Sequence, residues 1–234
     1  SGDNFSTIST HFQKHWPIYE RVYANYDATL QPANAVSVST WFKTDLFAPF
    51  NQGVLVSNGS GYKLFCTQFG YGFRPGFQLL TGFEFGVPTW APHQAIGPEW
   101  DLADNNKWHH LVGTYDSAAE ELKLYIDGIL HVTEFVTSSI SYENYPFDGV
   151  TLGTNPITDS ITGHMDETAI WSRALTNSEV ENIYNNGCPN DLTESVDLKA
   201  SMVAWWRMGE GDTYPTILDH SPAGLNDATM FNMA

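Results

Sequence analysis

Basic residues are scarce in this sequence. Its 234 residues contain 10 Lys and Arg against 27 Asp and Glu, which gives a formal net charge of −17 at pH 7. Such a charge repels the phosphates of nucleic acids and the surfaces of anionic membranes. The composition therefore argues against a protein that binds nucleic acid.

Long apolar runs are also absent. No 18 consecutive residues are apolar, so the sequence predicts no transmembrane helix and no membrane insertion. The first four residues, Ser-Gly-Asp-Asn, lack the basic and apolar regions of a secretion signal. A signal removed before this sequence begins and the loss of an initiator Met alone both remain open.

The sequence has two cysteines, Cys66 and Cys188. Two are too few for the disulfide framework of a small secreted domain. Cys66 lies in an apolar stretch and Cys188 follows a helix-like segment, which favours two separate thiols. The alternative, a bridge between them, would close a very long loop and indicate an oxidising compartment.

The residues that are present are typical of a turn-rich β protein, with 14% aromatics, 16% charged residues and 19 glycines. Apolar and polar residues alternate in short runs such as 36–42 and 122–126, as expected of strands with one buried face. Asp127-Gly128 follows the second run and predicts a tight hairpin, because both turn positions need positive φ. Further strands are predicted at 53–57, 62–69, 77–85, 108–115, 150–153, 163–171 and 202–208.

One short helix is predicted at 176–186. Thr176 and Glu179 form a capping box, and 185–187, Asn-Asn-Gly, provides the stop. The apolar residues recur at helical spacing, at Val180, Ile183 and Tyr184. The following segment, 189–198, is rich in polar residues and is predicted to be a connector.

Three blocks of sequence carry a family resemblance. They are 107–132, with Trp-His-His-Leu-Val-Gly-Thr-Tyr-Asp and Leu-Tyr-Ile-Asp-Gly; 163–187, with Gly-His-Met-Asp-Glu-Thr-Ala-Ile-Trp and the helix; and 37–43. In this order they resemble the laminin-G-like, concanavalin-A-like jelly-roll family. The resemblance implies an all-β fold, an antiparallel β-sandwich jelly roll, formed as a single domain by residues 1–234.

The C-terminal segment 199–234 departs from the family's order. Residues 202–211 and 219–230 resemble the segment that normally opens such a domain, yet here they come last. The strand could close its own sandwich, as in a circular permutation, or pair with a neighbouring copy. An unpaired strand carrying Trp205 and Trp206 would be an exposed apolar edge, so closure within the chain is favoured.

The search for catalytic groups finds little. Glucanases of this fold use a Glu-x-Asp-x-x-Glu strand, and residues 99–104 have that spacing but end in Asp, among residues predicted to form a loop. His109 and His110 alternate across a strand and cannot by themselves share a metal. No catalytic residues are predicted, and the protein is expected not to be an enzyme.

The resemblance implies a structural Ca²⁺ beside Asp166, with Glu167 a second candidate ligand. If Ile170 faces the core, alternation places Asp166 inward, where a buried carboxylate needs a partner. Oxygen ligands suit calcium, and the alternative is a carboxylate bound to backbone amides of its own strand. Weaker candidates, which could simply cap turns, are Asp27, Asp148 and Asp159.

Residues 61–100 are rich in aromatics, with ten in 40 positions. Strands favour aromatics anyway, so at least half are expected in the core. The others could stack against the apolar face of a sugar. The candidate ligand-binding residues in turn-like segments are Tyr71, Trp90, His93 and Trp100.

The sequence therefore predicts a non-catalytic recognition module on an extracellular, cell or virion surface, which binds glycan and holds a structural calcium ion. The alternative is a structural protein of a virus particle or filament, a decoration or fibre component whose terminal segments join neighbouring subunits into a homo-oligomer. Glycoside hydrolysis is a third, less favoured hypothesis. Fold alone does not separate these functions.

Overall fold

Strand pairing organises the chain in the computed structural model, which describes residues 9–12, 14–15, 18–44, 52–59, 61–69, 72–80, 83–84, 87–88, 93–99, 106–142, 149–154, 161–209 and 211–233. The strands are β1 (Thr10–Phe12), β2 (Lys14–His15), β3 (Ile18–Tyr19), β4 (Arg21–Ala24), β5 (Ala35–Thr44), β6 (Gln52–Asn58), β7 (Tyr62–Phe69), β8 (Gly72–Leu79), β9 (Phe83–Glu84), β10 (Val87–Pro88), β11 (Gln94–Ile96), β12 (His109–Asp116), β13 (Glu121–Ile126), β14 (Ile129–Phe135), β15 (Val150–Leu152), β16 (Gly163–Trp171), β17 (Met202–Trp206), β18 (Thr216–Ile217) and β19 (Ala228–Phe231).

These strands form two large antiparallel sheets. The seven-stranded sheet has the order β1-β16-β5-β12-β13-β14, and β17 pairs with another part of β16. The eight-stranded sheet has the order β11-β8-β7-β6-β15-β4-β19-β18. Two short hairpins, β2–β3 and β9–β10, accompany them. The predicted antiparallel β-sandwich is confirmed.

The core lies between the two sheets, and the alternation of the sequence decides which residues enter it. Val36 and Val38 of β5 are buried there, and Ser37 faces the opposite side. Leu64 of β7 and Phe77 of β8 come from the other sheet. Because successive side chains of a strand point to opposite faces, each sheet is left with a second, outer face.

The hairpin prediction is confirmed and one strand prediction is wrong. Asp127 and Gly128 adopt φ of 49° and 78° between β13 and β14. The strand predicted at 77–85 instead ends at Leu79, although the aromatic alternation continues beyond it. Leu79 pairs with Tyr62, the first residue of β7, so the neighbouring strand supplies no partner for a continuation.

Helix α1 (Asn177–Tyr184) has the predicted cap. Thr176 accepts a hydrogen bond from the Glu179 amide, and Glu179 accepts one from the Thr176 amide at 2.8 Å. The Arg173 guanidinium beside Glu179 holds the pKa of that carboxyl at about 2. A second helix, α2 (Val196–Ser201), lies in the segment predicted to be only a connector, where Ser195 caps it.

Both helices of the described residues are too short to cross a membrane. They cover the outer face of the seven-stranded sheet instead. Val180, Ile183 and Leu198 pack with Trp171 and Trp205 in a second apolar cluster on that face. This side of the sandwich is therefore closed by protein.

The C-terminal segment pairs within its own chain. Trp205 of β17 lies opposite Ala169 of β16, and β19 pairs with β4 in the other sheet. Trp206 is buried between the sheets and Trp205 lies in the second apolar cluster. The segment thus joins both sheets, and its two tryptophans do not form an exposed edge.

The carboxylate of Asp219 holds the C-terminal segment in place through hydrogen bonds. It accepts hydrogen bonds from the amides of Trp205, Ser221 and Asn226 at 2.9, 2.8 and 3.0 Å and from the Ser221 hydroxyl at 2.9 Å. Each carboxylate oxygen therefore accepts two hydrogen bonds, and the Asp219 side chain is buried. By contrast, Asp227 accepts from the Asp219 amide and is exposed.

We predict that Asp219→Asn lowers the free energy of unfolding by about 2 kcal/mol or more, because an amide group would point N–H at buried donors. Asp227→Asn is the control, since its amide can turn its oxygen to the single donor. Thermal unfolding followed by circular dichroism measures both. Equal melting temperatures for the two variants would contradict this role of Asp219.

His110 is a buried histidine that packs against two aromatic rings. Its ring stacks on Trp41 at 4.8 Å and on Tyr184 at 6.2 Å between centroids, and its Nε2 hydrogen-bonds the Ser39 hydroxyl at 2.7 Å. Burial disfavours the imidazolium and lowers the pKa of His110 from 6.5 to about 3, against a smaller opposing effect of Asp127.

Protonation of the unfolded chain should therefore destabilise the fold in acid. Between pH 6.5 and about 3 the unfolded His110 binds a proton that the folded one does not, so stability falls as pH falls, by at most about 1.4 kcal/mol per pH unit. His110→Gln should reduce this slope in urea unfolding across that range, and the exposed His131→Gln should keep it. A His110→Gln slope equal to wild type would refute the assignment.

Candidate functional site

A row of polar side chains crosses the outer face of the eight-stranded sheet. Successive strands contribute one residue each, and each is the direct cross-strand partner of the next. We call this set the polar row. From one edge of the sheet to the other it consists of Thr216, Thr229, Tyr23, Thr151, Ser57, Lys63, Gln78 and Gln94.

The sequence positions the polar row by alternation. Tyr23 lies between Val22 and Ala24, and both of these neighbours face the inter-sheet core. Lys63 lies in the same way between Tyr62 and Leu64. Fixing the apolar residues inside therefore fixes the polar ones outside, and strand register brings them into one line.

Members of the polar row differ in exposure. Tyr23, Lys63 and Gln94 are partly exposed, whereas Thr151, Ser57 and Gln78 are buried. The Thr151 hydroxyl donates to the Ser57 carbonyl at 3.4 Å. Hydroxyl, amide and ammonium groups thus share a surface with one aromatic ring. Such a surface suits a ligand that has many hydroxyl groups and an apolar face.

The predicted ligand-binding residues relate to this row to different extents. His93 precedes Gln94, the last member of the row, and its carbonyl accepts a hydrogen bond from the Leu79 amide at 3.0 Å. The side chain is partly buried, and desolvation lowers the pKa of His93. Tyr71, Trp90 and Trp100 lie outside the described residues, and their role stays a prediction.

Tyr71 directly precedes β8, and Trp90 and Trp100 stand on either side of β11. The polar row itself was missed by the sequence analysis. Its members are as far apart as Tyr23 and Thr216, and only strand register shows that they are neighbours.

Asp166 faces the other outer surface, contrary to the prediction. Met165 and Ile170 both pack in the inter-sheet core, although five residues of regular alternation would place them on opposite faces. A β-bulge after Asp166, with Glu167 at φ of 48°, supplies the extra step. Asp166 is therefore fully buried beside its cross-strand partner Trp41, on the helix-covered side.

The two proposed calcium ligands have protein partners. Asp166 accepts the Glu167 amide at 3.0 Å, as the alternative interpretation expected. Glu167 accepts the Trp205 indole N–H at 2.6 Å and the Arg207 guanidinium at 3.2 Å. A guanidinium at this distance opposes a cation at Glu167, so of these two residues Asp166 is the better candidate for an acidic ligand.

The remaining acidic candidates add no metal centre in the part of the chain that the structure describes, where no three His, Cys, Asp or Glu side chains come together. Asp27 accepts the Thr29 amide and hydroxyl at 2.8 and 2.6 Å and caps a turn, and these bonds lower its pKa. Asp148 and Asp159 lie outside the described residues.

Other candidate features are less organised. Glu99 of the glucanase-like spacing is exposed after β11, and residues 100–104 lie outside the described part. A polar cleft of about 300 Å³ lies beside α1 and α2 and includes Asn182 and Asn190. The Asn190 side-chain amide there donates to the Asn182 backbone carbonyl, so these two groups already bind each other.

Cys66 and Cys188 are free thiols.

Solved structures share this architecture at low sequence identity. A candidate carbohydrate-binding protein from Bacteroides ovatus superposes with a TM-score of 0.68 at 13% identity, over 97% of this chain and 59% of its own length. This chain therefore spans little more than half of that protein. A heptameric SAP-like pentraxin from Limulus polyphemus has a TM-score of 0.58 at 13% identity, over 100% of this chain and 99% of its own.

A third structure is the CBM40 of the Ruminococcus gnavus IT-sialidase bound to α2,3-sialyllactose. It has a TM-score of 0.56 at 14% identity, over 78% of this chain and 100% of its own. No curated protein matches the sequence. The laminin G type family described as the concanavalin A-like lectin/glucanases superfamily matches residues 20–181, more than half of the sequence. The chain belongs to this superfamily.

Proposed function

We propose that the protein is a non-catalytic glycan-binding module of an extracellular, cell or virion surface. The polar row carries this proposal. It places hydroxyl, amide and ammonium groups in line across the outer face of one sheet, whereas helices cover the outer face of the other. A sugar lying across the strands would meet the partly exposed members of the row, which include Tyr23, Lys63 and Gln94.

The chemistry of sugars matches this surface. Hydroxyl groups at the edge of a pyranose exchange hydrogen bonds with Gln, Ser and Lys side chains, and its C–H face packs on an aromatic ring. Tyr23 supplies such a ring within the polar row, and Trp90 and Trp100 are the further rings that the sequence predicts.

The comparisons support this proposal. Two of the three similar structures are a candidate carbohydrate-binding protein and a carbohydrate-binding module with a bound sialylated sugar. The alternative hypothesis, a component of a virus particle or filament, requires terminal segments that join neighbouring subunits. The C-terminal segment pairs with β16 and β4 of its own chain, so it supports the binding hypothesis better.

We expect wild-type protein to bind a subset of a glycan array, and Tyr23→Ala to weaken that binding about tenfold through loss of ring packing. Trp90→Ala and Trp100→Ala should weaken it as well. Phe135→Ala is the control, because this side chain is 78% exposed on the edge strand of the other sheet. A flat array for the wild type would refute glycan binding, and full binding by Tyr23→Ala would refute the site.

The structural calcium ion stays a prediction, with Asp166 as its acidic ligand. A cation bound to the native state must raise the melting temperature by mass action. We therefore expect a higher melting temperature in excess Ca²⁺ than in EDTA, and Asp166→Asn should abolish the difference. Equal melting temperatures of the wild type in calcium and in EDTA would rule the site out.

A further inference from the structure

Burial divides the polar row into separate parts. Three of its members are buried and out of reach of a surface ligand, namely Thr151, Ser57 and Gln78. The partly exposed members include three that stand next to one another on β18, β19 and β4, namely Thr216, Thr229 and Tyr23. These three form the longest uninterrupted run of partly exposed groups in the row.

The loop before β18 adds an aromatic ring to this run. Tyr214 is 63% exposed and lies two residues before Thr216. The Thr216 amide donates to the Thr213 carbonyl at 2.8 Å, which closes the loop around Tyr214. The Pro215 carbonyl accepts from the Met230 amide of β19 at 2.7 Å, which fixes the loop to the sheet. Tyr214 is therefore held beside the polar row before any ligand binds.

A glycine makes room for the ring of Tyr23. A Cβ at Gly149 would lie 2.8 Å from the Cζ atom of Tyr23, which is too close for any side chain. The Tyr23 ring thus packs against the backbone of Gly149 and is still partly exposed. We call Tyr23, Thr229, Thr216 and Tyr214 the edge site.

The edge site has the size of a small sugar. Neighbouring strands lie about 4.8 Å apart, so β4 and β18 are separated by about 10 Å, room for one or two sugar rings. The two tyrosine rings can pack on the C–H face of a sugar, and the two threonine hydroxyls can bind its hydroxyl groups. In the described part of the chain β18 ends the sheet, so the edge site is the last contact for a glycan that lies on the row.

The charges around the edge site disfavour an acidic sugar. Asp227 directly precedes β19 and is exposed, and Asp212 lies in the segment before β18 and is partly exposed. Arg21 is the basic residue of β4, and its guanidinium lies 5.0 Å from the centroid of the Phe231 ring. Two carboxylates thus stand against one guanidinium, so a carboxylate on the ligand would be repelled. Neutral hydroxyl groups meet no such repulsion.

We infer that the edge site is a subsite for a neutral hexose at the end of a glycan. The inference rests on the proposed glycan-binding function, and it specifies where the terminal sugar binds and that this sugar is uncharged. Tyr23 and Tyr214 pack on the sugar ring, while Thr216 and Thr229 exchange hydrogen bonds with its hydroxyl groups.

Titration of the full chain with methyl glycosides, followed by nuclear magnetic resonance, tests the inference. The probes are the methyl glycosides of glucose, galactose and mannose, each compared with that of the corresponding uronic acid. We expect at least one neutral glycoside to bind, and its uronic acid to bind about tenfold more weakly or less. A uronic acid that binds as tightly as its neutral counterpart would overturn the assignment of an uncharged ligand.

Substitutions test the location of the site. Tyr214→Ala should weaken the binding about tenfold through loss of ring packing, and Thr229→Val about fivefold through loss of a hydroxyl group. Phe135→Ala and Thr133→Val are the matched controls, since both residues lie on β14 of the other sheet, and they should bind as the wild type does. Unchanged melting temperatures would show that the variants fold.

The outcomes keep this inference apart from the proposed function. Full binding by both Tyr214→Ala and Thr229→Val would overturn the edge site, and so would failure of every neutral glycoside to bind. In either case, binding of the wild type to the glycan array would leave the proposed function intact. A flat array together with no binding of any glycoside would overturn both.

Discussion

Burial of the apolar faces of the two sheets against each other is the contact on which the rest of the structure depends. Because side chains alternate along a strand, the requirement that Val22, Leu64 and Phe77 lie inside fixes what lies outside. A slip of one residue in any strand of the eight-stranded sheet would remove its member from the polar row. The candidate site is thus a consequence of core packing, without any separate loop being needed to build it.

The outer faces of the two sheets differ in what covers them. Apolar residues on the outer side of the seven-stranded sheet are covered by α1, α2 and the C-terminal segment. The bulge at Glu167 directs its carboxylate to the Trp205 indole and Arg207, so a buried acid ties β16 to β17 and the residue after it. On the outer side of the eight-stranded sheet, by contrast, the partly exposed groups are those of the polar row, such as Tyr23, Lys63 and Gln94.

The sequence predicts those features that depend on near neighbours. The capping box at Thr176, the Asp127-Gly128 hairpin and the alternation of β5 each involve residues a few positions apart, and each is confirmed. The bulge in β16 was not predictable, because it arises from the register with β5. The polar row was missed for the same reason, since Gln94 and Thr216 meet the same surface only through six intervening strands.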